Sequence, residues 1–276
     1  MGPAGTTTIR VAPTRSHVQL TFLGTGSAMP TGERVQTGLL LVSDDDALLV
    51  DCGSGVLDAL ARTETGYEGV DTVLLTHHHL DHVSDLMVLA KARWLAGETS
   101  LTVVGPPGTE SLVSDLFAVH DYMQDRLDLT VRDVEPADAP LDLAGFTVGA
   151  TETIHSMHCH AYRFEAADRV GDDGDAPAVV YSGDAEATTD LIEFADGAAV
   201  LAHDCSFPDD VDVDNHPTPA SLGRALGDAD AAVGRVYLTH LYPHTDGHHD
   251  AMLASIAESY DGDVRFAADG LTVSVS

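Results

Sequence analysis

The chain has 276 residues, 44% of them hydrophobic, which is enough to bury one sizeable core without disulfide bonds. It carries 45 acidic and 13 basic residues, a formal net charge of −32, and this balance disfavours a broad nucleic-acid-binding face. The three cysteines form no CxxC pair, no apolar run is long enough for a membrane span, and the first residues lack the apolar centre of a signal peptide, so the composition predicts a cytoplasmic protein without membrane contacts.

The acidic residues are scattered through many loops rather than gathered in one tail. Their mutual repulsion is tolerable where high salt shortens its range to a few ångströms, which predicts a halophilic source. The alternative is an acidic protein that avoids nucleic acid or binds a basic partner.

Predicted strands and helices alternate along the chain. Short aliphatic runs between Gly, Asp and Pro predict strands over 18–24, 38–44, 47–53, 71–77, 101–107, 146–152, 178–184, 199–205, 235–241 and 271–276. Helical spacing predicts helices over 82–97, 109–123, 218–229 and 249–260, the first with an inward face of Val83, Leu86, Met87, Ala90 and Leu95. The acidic stretch 169–177 reads as a surface connection. Together these elements predict one layered α/β domain over residues 1–276.

A cluster of histidines follows the fourth predicted strand, in "TVLLTHHHLDH" (72–82). Strand alternation sends His77 and His79 to one side and His78 to the other. Asp81 and His82 come next, where a tight turn can aim both at the same point. Imidazole and carboxylate ligands suit Zn²⁺, with Mn²⁺ and Fe²⁺ as alternatives. The competing interpretation is a polar, solvated turn.

The order His77, His79, Asp81, His82 resembles the signature of the metallo-β-lactamase superfamily, and further motifs follow in sequence. "TIHSMHCHAYRF" resembles the third motif at His155, "VVYSGDAE" the bridging motif at Asp184, and "VYLTHLYP" the last motif at His240. The resemblance implies an αββα sandwich of two mixed sheets flanked by helices, with the site at one edge. His158 is the alternative to His155, because it lies only three residues further on.

The resemblance also implies how two divalent metal ions are held. One ion would have His77, His79 and His155, the other Asp81, His82 and His240, and Asp184 would bridge them. A hydroxide at the shared open position would attack the substrate, with Asp81 as a catalytic ligand beside it. Asp51, in "LLVDCGSG", would orient a metal-binding side chain without contacting the metal itself. The alternative interpretation of Asp51 is a turn residue at the end of a strand.

Two further segments resemble the ribonuclease Z-like branch. The first is the opening stretch "LTFLGTGSAMP". The second consists of "AVLAHDCSFPDD" and the following "NHPTPASLG". In that branch a histidine protonates the leaving oxygen beside an acidic partner, which implies His216 and Asp204 here. The alternative for His216 is a surface residue before a helix.

The chain departs from that branch at several points. The usual glutamate is Asp204, and the segment after His240 lacks the usual arginine, which leaves Arg34 and Arg163 as candidate anion contacts, with a carboxylate as the alternative partner of Arg163. The interval from Gly108 to His155 is predicted to hold one helix and two strands, which leaves no basic arm for tRNA. We therefore predict a dinuclear metal hydrolase, a phosphodiesterase acting on a small or flexible substrate; sulfate and carboxylic esters remain open. The alternatives are ribonuclease Z-type processing of tRNA 3′ ends and a non-catalytic metal- or ligand-binding domain. A homodimer is implied by analogy alone.

Overall fold

Two seven-stranded mixed sheets form the centre of the computed structural model, which describes residues 18–44, 46–167, 177–211 and 213–275. The first sheet has the order β14-β1-β2-β3-β4-β5-β6. These strands are β1 (Val18–Gly24), β2 (Gly38–Ser43), β3 (Asp46–Val50), β4 (Thr72–Leu74), β5 (Ser100–Gly105), β6 (Asp128–Asp133) and β14 (Thr272–Val275). β14, β1, β2 and β3 pair antiparallel, whereas β3 to β6 run parallel.

The second sheet repeats this division. Its order is β13-β12-β11-β10-β9-β8-β7. The strands are β7 (Leu141–Leu143), β8 (Phe146–Glu152), β9 (His160–Ala166), β10 (Ala178–Tyr181), β11 (Ala198–Asp204), β12 (Arg235–Thr239) and β13 (Asp263–Phe266). β7 to β10 are antiparallel and β10 to β13 parallel. A parallel bridge between Gly26 and Leu241 ties the two sheets together at one edge.

Helices cover the outer faces. The first sheet carries α1 (Val56–Leu60), α2 (Leu80–Val83), α3 (Leu86–Ala96) and α4 (Thr109–Val119), followed by a 3₁₀ turn at Asp121–Met123. The second carries α5 (Thr189–Phe194), α6 (Pro219–Asp228) and α7 (His249–Ala257), with a 3₁₀ turn at Pro243–Thr245. No helix among these described segments has the length and apolarity to cross a bilayer.

Three apolar cores separate the four layers. Between the sheets, aromatic side chains such as Phe22, Tyr162 and Tyr181 are buried with aliphatic residues of both sheets. A second core lies under α1 to α4 and a third under α5 to α7. The αββα sandwich implied by the motifs is confirmed.

The predicted helix 82–97 is wrong in two details. It is split into α2 and α3, because the Asp85 backbone N–H donates to Cys52 O at 2.9 Å instead of continuing the helix. The Asp85 carboxylate accepts from the backbone N–H groups of Gly55 and Leu57, where α1 begins. Leu95, expected inward, is 68% exposed; the buried positions of α3 are Leu86, Leu89, Ala90 and Arg93.

The interval from Gly108 to His155 holds α4 and three strands, β6, β7 and β8, rather than two. These short strands were hard to predict because β6 alternates buried and exposed residues weakly and β7 has three residues. Within the described residues of this interval, the chain is compact and forms no protruding arm. Residues 169–176 of the predicted acidic connection (169–177) lie outside the described residues.

Candidate metal centre

The carboxyl ends of parallel strands meet at one edge of the sandwich, and the predicted ligands lie there. Asp51 follows β3 and His77 follows β4 in one sheet. In the other sheet, Asp184 follows β10 and His240 follows β12. Neighbouring parallel strands end side by side, so residues far apart in sequence meet at this edge.

Two backbone conformations turn the side chains inward. Gly183 has φ 58°, and a Cβ there would lie 3.0 Å from Cys159 Sγ and from the Cβ of Thr76, so glycine is required directly before Asp184. His240 itself has φ 57°, an uncommon left-handed conformation for a residue with a side chain. Such strain at a strand end is typical of functional positions.

Three histidines and Asp184 form what we call the shallow half of the centre: His77, His79, His155 and Asp184. His77 Nε2 lies 3.0 Å from His79 Nδ1, and His155 Nε2 lies 3.2 Å from the same atom. Asp184 Oδ2 is 3.6 Å from His77 Nε2 and 3.9 Å from His155 Nε2. His79 is half-buried, whereas the side chain of His155 is 2% exposed.

The deep half consists of Asp81, His82 and His240, all buried. His240 Nε2 lies 3.1 Å from Asp81 Oδ2, and His82 Nε2 lies 3.8 Å from the same oxygen. Asp184 reaches this half as well, with Oδ1 at 3.3 Å from His82 Nε2 and Oδ2 at 3.4 Å from His240 Nε2. Its carboxylate therefore lies between the two halves.

The donor set fits two divalent cations. Among the described residues, His82 Nε2 and Asp184 Oδ1 are buried side-chain atoms that have no hydrogen-bond partner. Buried polar atoms are normally paired, and two unpaired ones facing each other at 3.3 Å are explained by a cation between them. Imidazole nitrogens and carboxylate oxygens are the ligands of borderline divalent metals.

Asp51 orients the deep half from behind. It has φ 61°, and its Oδ2 lies 2.8 Å from His82 Nδ1. The backbone N–H and the hydroxyl of Thr76 each donate to this carboxylate at 2.8 Å. An imidazole that donates Nδ1–H to a carboxylate presents Nε2 as the metal ligand, with its ring fixed.

A second buried carboxylate, Asp204, lies behind His240 and His216. Its Oδ2 is 2.7 Å from His216 Nδ1, and its Oδ1 accepts from Ser206 Oγ at 2.5 Å. Ser206 Oγ is also 2.9 Å from His240 Nδ1. Ser206 thus connects His240 to the Asp204–His216 pair. Because Nδ1 of His240 faces Ser206, its Nε2 faces Asp81.

The carboxylates control the charge of these histidines. Burial lowers the pKa of His82, but Asp184 and Asp51 outweigh it and raise that pKa to about 10. Burial likewise opposes the charge of His240, yet Asp184, Asp204 and Asp81 hold its pKa well above the ordinary value. At His216 burial is outweighed by Asp204, which raises the pKa of the imidazole. The metal-free centre therefore holds protons that bound cations must displace.

The other histidines of the motifs lie outside the cluster. His158 is exposed beside Glu152, at 3.4 Å, so its position does not compete with that of His155. His160 is buried at the start of β9, where Nδ1 is 3.5 Å from the Tyr162 hydroxyl. His78 turns to Thr109 Oγ1 at 2.8 Å, as strand alternation predicts.

The two arginines considered as anion contacts are engaged elsewhere. Arg34 donates to Thr25 Oγ1 at 2.7 Å, and Arg163 pairs with Glu165 at 2.8 Å. Sequence reasoning missed Ser206, Thr76 and the aromatic residue Tyr242, which lines the cavity beside the metal centre. The sequence contained a signal for Tyr242, because it lies two residues after His240 in the last motif. The position of Ser206 in the sequence gave no such signal.

The cavity in front of the centre has a volume of about 420 Å³. It contains His79, Asp81, His155, Asp184 and His216 among its lining residues. A larger cavity, about 770 Å³, lies on the outer face of the first sheet and is lined by none of the metal-centre residues. The smaller one is the candidate site, because predicted metal ligands lie in its wall.

The αββα sandwich and this histidine–aspartate edge define a metal-dependent hydrolase of the metallo-β-lactamase superfamily, of the ribonuclease Z-like kind. Residues 18–252 match the family model described as Anti-Pycsar protein Apyc1, and the chain belongs to that family.

Curated relatives and a solved structure agree with this placement. The probable metallo-hydrolase YhfI of Bacillus subtilis is 31% identical over 92% of this chain and 98% of its own length. Its crystal structure superposes with a TM-score of 0.79 over 94% of this chain and all of that one. Ribonuclease Z of Halorubrum lacusprofundi is 28% identical over 94% of this chain and 97% of its own length.

Proposed function

We propose that the chain is a dinuclear phosphodiesterase for small or flexible diesters, with Zn²⁺ as its metal. One observation carries the proposal: the Asp184 carboxylate lies between a shallow and a deep ligand cluster, in the wall of a cavity of about 420 Å³. Cavities of this size suit small molecules. Two cations held there would neutralise charge on the attacked phosphate and lower the pKa of a water toward neutrality.

His77, His79 and His155 would hold one ion, and Asp81, His82 and His240 the other. His216 would protonate the leaving oxygen, and Asp204 would orient it. With Nδ1 engaged by Asp204 at 2.7 Å, Nε2 is the atom that can act toward the cavity. Asp204 raises the pKa of His216 against the effect of burial, which favours the protonated ring that an acid for a poor leaving group needs.

The second candidate is processing of tRNA 3′ ends, favoured by the relatives named ribonuclease Z. Against it stand the formal charge of −32 and the compact fold of the described residues between Gly108 and His155. Binding of tRNA rests mainly on lysine and arginine contacts with phosphates. The predicted halophilic origin makes this argument weaker in molar salt, so the test must include high salt.

The test is hydrolysis by Zn²⁺-loaded protein, in low and high salt, of bis-p-nitrophenyl phosphate and of a tRNA precursor with a 3′ trailer. We expect cleavage of the small diester and no site-specific removal of the trailer. Efficient trailer removal would replace our proposal with the second candidate. p-Nitrophenyl sulfate and p-nitrophenyl acetate, assayed in parallel, test the class of ester; faster cleavage of either would contradict a phosphodiesterase.

A further inference from the structure

We propose that Phe207 and Tyr242 form an aromatic subsite that binds a planar aromatic ring of the substrate. Phe207 lies three residues after the end of β11 and Tyr242 three residues after the end of β12. Their rings are stacked, with centroids 4.5 Å apart and planes at 26°. Both line the cavity in front of the metal centre.

The two rings pack on each other, and the main chain at Tyr242 is hydrogen-bonded. Phe207 is buried, 6% exposed, whereas Tyr242 is half-buried and offers the accessible ring. The Tyr242 backbone N–H donates to Ser206 O at 3.3 Å, and its carbonyl accepts from Thr245. A fixed ring loses little conformational freedom when a ligand stacks on it.

Its position relative to the reaction centre suits a group attached to the phosphate. The Tyr242 ring lies 5.7 Å from the ring of His240 and 5.9 Å from that of His216. The Phe207 ring lies 5.9 Å from that of His216. A phosphate at the metal centre can therefore carry its ester group onto this subsite.

Exposed apolar side chains lie in and beside the segments that line the cavity. Of the nine large hydrophobic side chains that are exposed among the described residues, Leu80 and Val213 line the cavity, and Met29, Ile154 and Met157 are direct sequence neighbours of lining residues. Exposed apolar residues gathered at one place mark a binding surface. A chain with a net charge of −32 has no solvation reason to collect them here.

The ligand chemistry that fits is a flat aromatic ring on a phosphate ester. Stacked and edge contacts between aromatic rings are worth about three- to tenfold in affinity beyond the area that they bury. Such a ring has two sources, a nucleobase or a simple aryl ester. This inference rests on the proposed function only in that it places the phosphate group of the ligand at the metal centre.

The test measures binding, not turnover. Phenyl phosphate and cyclohexyl phosphate have similar size, but only the first has an aromatic face, and both carry the same phosphate. We expect calorimetric titration of Zn²⁺-loaded protein to show phenyl phosphate binding about three- to tenfold more tightly. In Tyr242→Leu this preference should disappear, and in Tyr242→Phe it should remain because the ring is kept.

Tyr122→Leu is the matched control, since Tyr122 is half-exposed on the distant 3₁₀ turn at Asp121–Met123. Equal binding of the two esters by the wild-type protein would overturn the subsite. A preference that survives Tyr242→Leu would overturn it too, as would no binding of phenyl phosphate where inorganic phosphate binds. Failure of the proposed function would appear separately, as binding without hydrolysis of any diester.

A further pair of ligands distinguishes the two sources of the ring. If a nucleobase reaches the subsite, uridine 5′-monophosphate should bind more tightly than ribose 5-phosphate, and Tyr242→Leu should remove the gain. If phenyl phosphate shows the preference and the nucleotide does not, the subsite takes an aryl ester.

Discussion

The deep and shallow halves of the metal centre differ in how their imidazoles are held. In the deep half, His82 Nδ1 faces the Asp51 carboxylate at 2.8 Å, and His240 Nδ1 faces Ser206 at 2.9 Å with Asp204 behind it. In the shallow half, His155 Nδ1 has a backbone carbonyl at 3.4 Å, and His77 Nδ1 has the Thr76 hydroxyl at 3.1 Å.

This difference indicates a division of labour between the two ions. Imidazoles oriented by carboxylates are stronger and more rigid ligands than imidazoles that contact only a hydroxyl or a backbone carbonyl. We expect the deep half to bind its ion tightly and the shallow half to exchange its ion more readily. The following changes test that division, from the largest effect to the smallest.

Replacing Asp81 with Ala should abolish diester hydrolysis while leaving the fold intact. Asp81 lies in the deep half, and a metal supplies several kcal/mol of charge stabilisation, so the loss should be about 1,000-fold or more. Rates on bis-p-nitrophenyl phosphate and the circular dichroism spectrum measure the two effects. Asp121→Ala, an exposed carboxylate on the 3₁₀ turn, is the control. Full activity in Asp81→Ala would refute the two-metal arrangement.

His216→Gln should slow hydrolysis of esters with poor leaving groups by at least about 100-fold, because a general acid contributes that much to such reactions. Esters of p-nitrophenol, whose leaving group needs no proton, should be affected much less. Paired rates on alkyl and p-nitrophenyl diesters give the ratio. An equal loss on both substrates would show that His216 has a structural role and not an acidic one.

Asp51→Asn should weaken the tighter of two Zn²⁺-binding steps by about 10- to 100-fold. Asparagine tolerates the left-handed backbone of this position, so the change acts on the contact with His82. Competition with a chromophoric chelator resolves the two steps. A loss confined to the weaker step would reverse our assignment of the deep and shallow halves.

Ser206→Ala should have the smallest effect, about two- to tenfold on the tighter step, since the hydroxyl's contact with His240 is lost while Asp204 keeps its contact with His216. Ser206→Thr keeps the hydroxyl and should restore the affinity. The same chelator titration measures both variants. If threonine behaves as alanine does, the hydroxyl does not orient His240.

The contiguous part of the centre was predictable from sequence, whereas the dispersed part needed the resemblance. His77, His79, Asp81 and His82 lie within six residues, so strand alternation for the first two and a tight turn into a helix for the last two suffice to predict that they meet. Asp184 and His240 meet them because parallel strands of the second sheet end at this edge, and His155 reaches it from the connection between the antiparallel strands β8 and β9.

Other features depended on contacts that no local pattern contains. The break before α3 arises because Asp85 binds the backbone around α1, thirty residues earlier in the chain. The inward face of α3 was misplaced at Leu95 for a related reason: Leu95 is exposed, and the buried residue near this end of the helix is Arg93, which donates to the carbonyls of Tyr67 and Ser100. Ser206 gains its role from Asp204, His240 and His216 together.

The bridge between Gly26 and Leu241 closes the edge at which the metal centre lies, and it joins the beginning of the described chain to a late segment. On the ribosome, His240 is synthesised roughly 160 residues after His82, which at about 5–20 residues per second takes on the order of ten to thirty seconds. During that interval the deep half lacks His240, although His155 and Asp184 of the second sheet have already been made. The nascent chain can therefore hold a cation in the deep half only weakly, and the complete metal centre belongs to the end of biosynthesis.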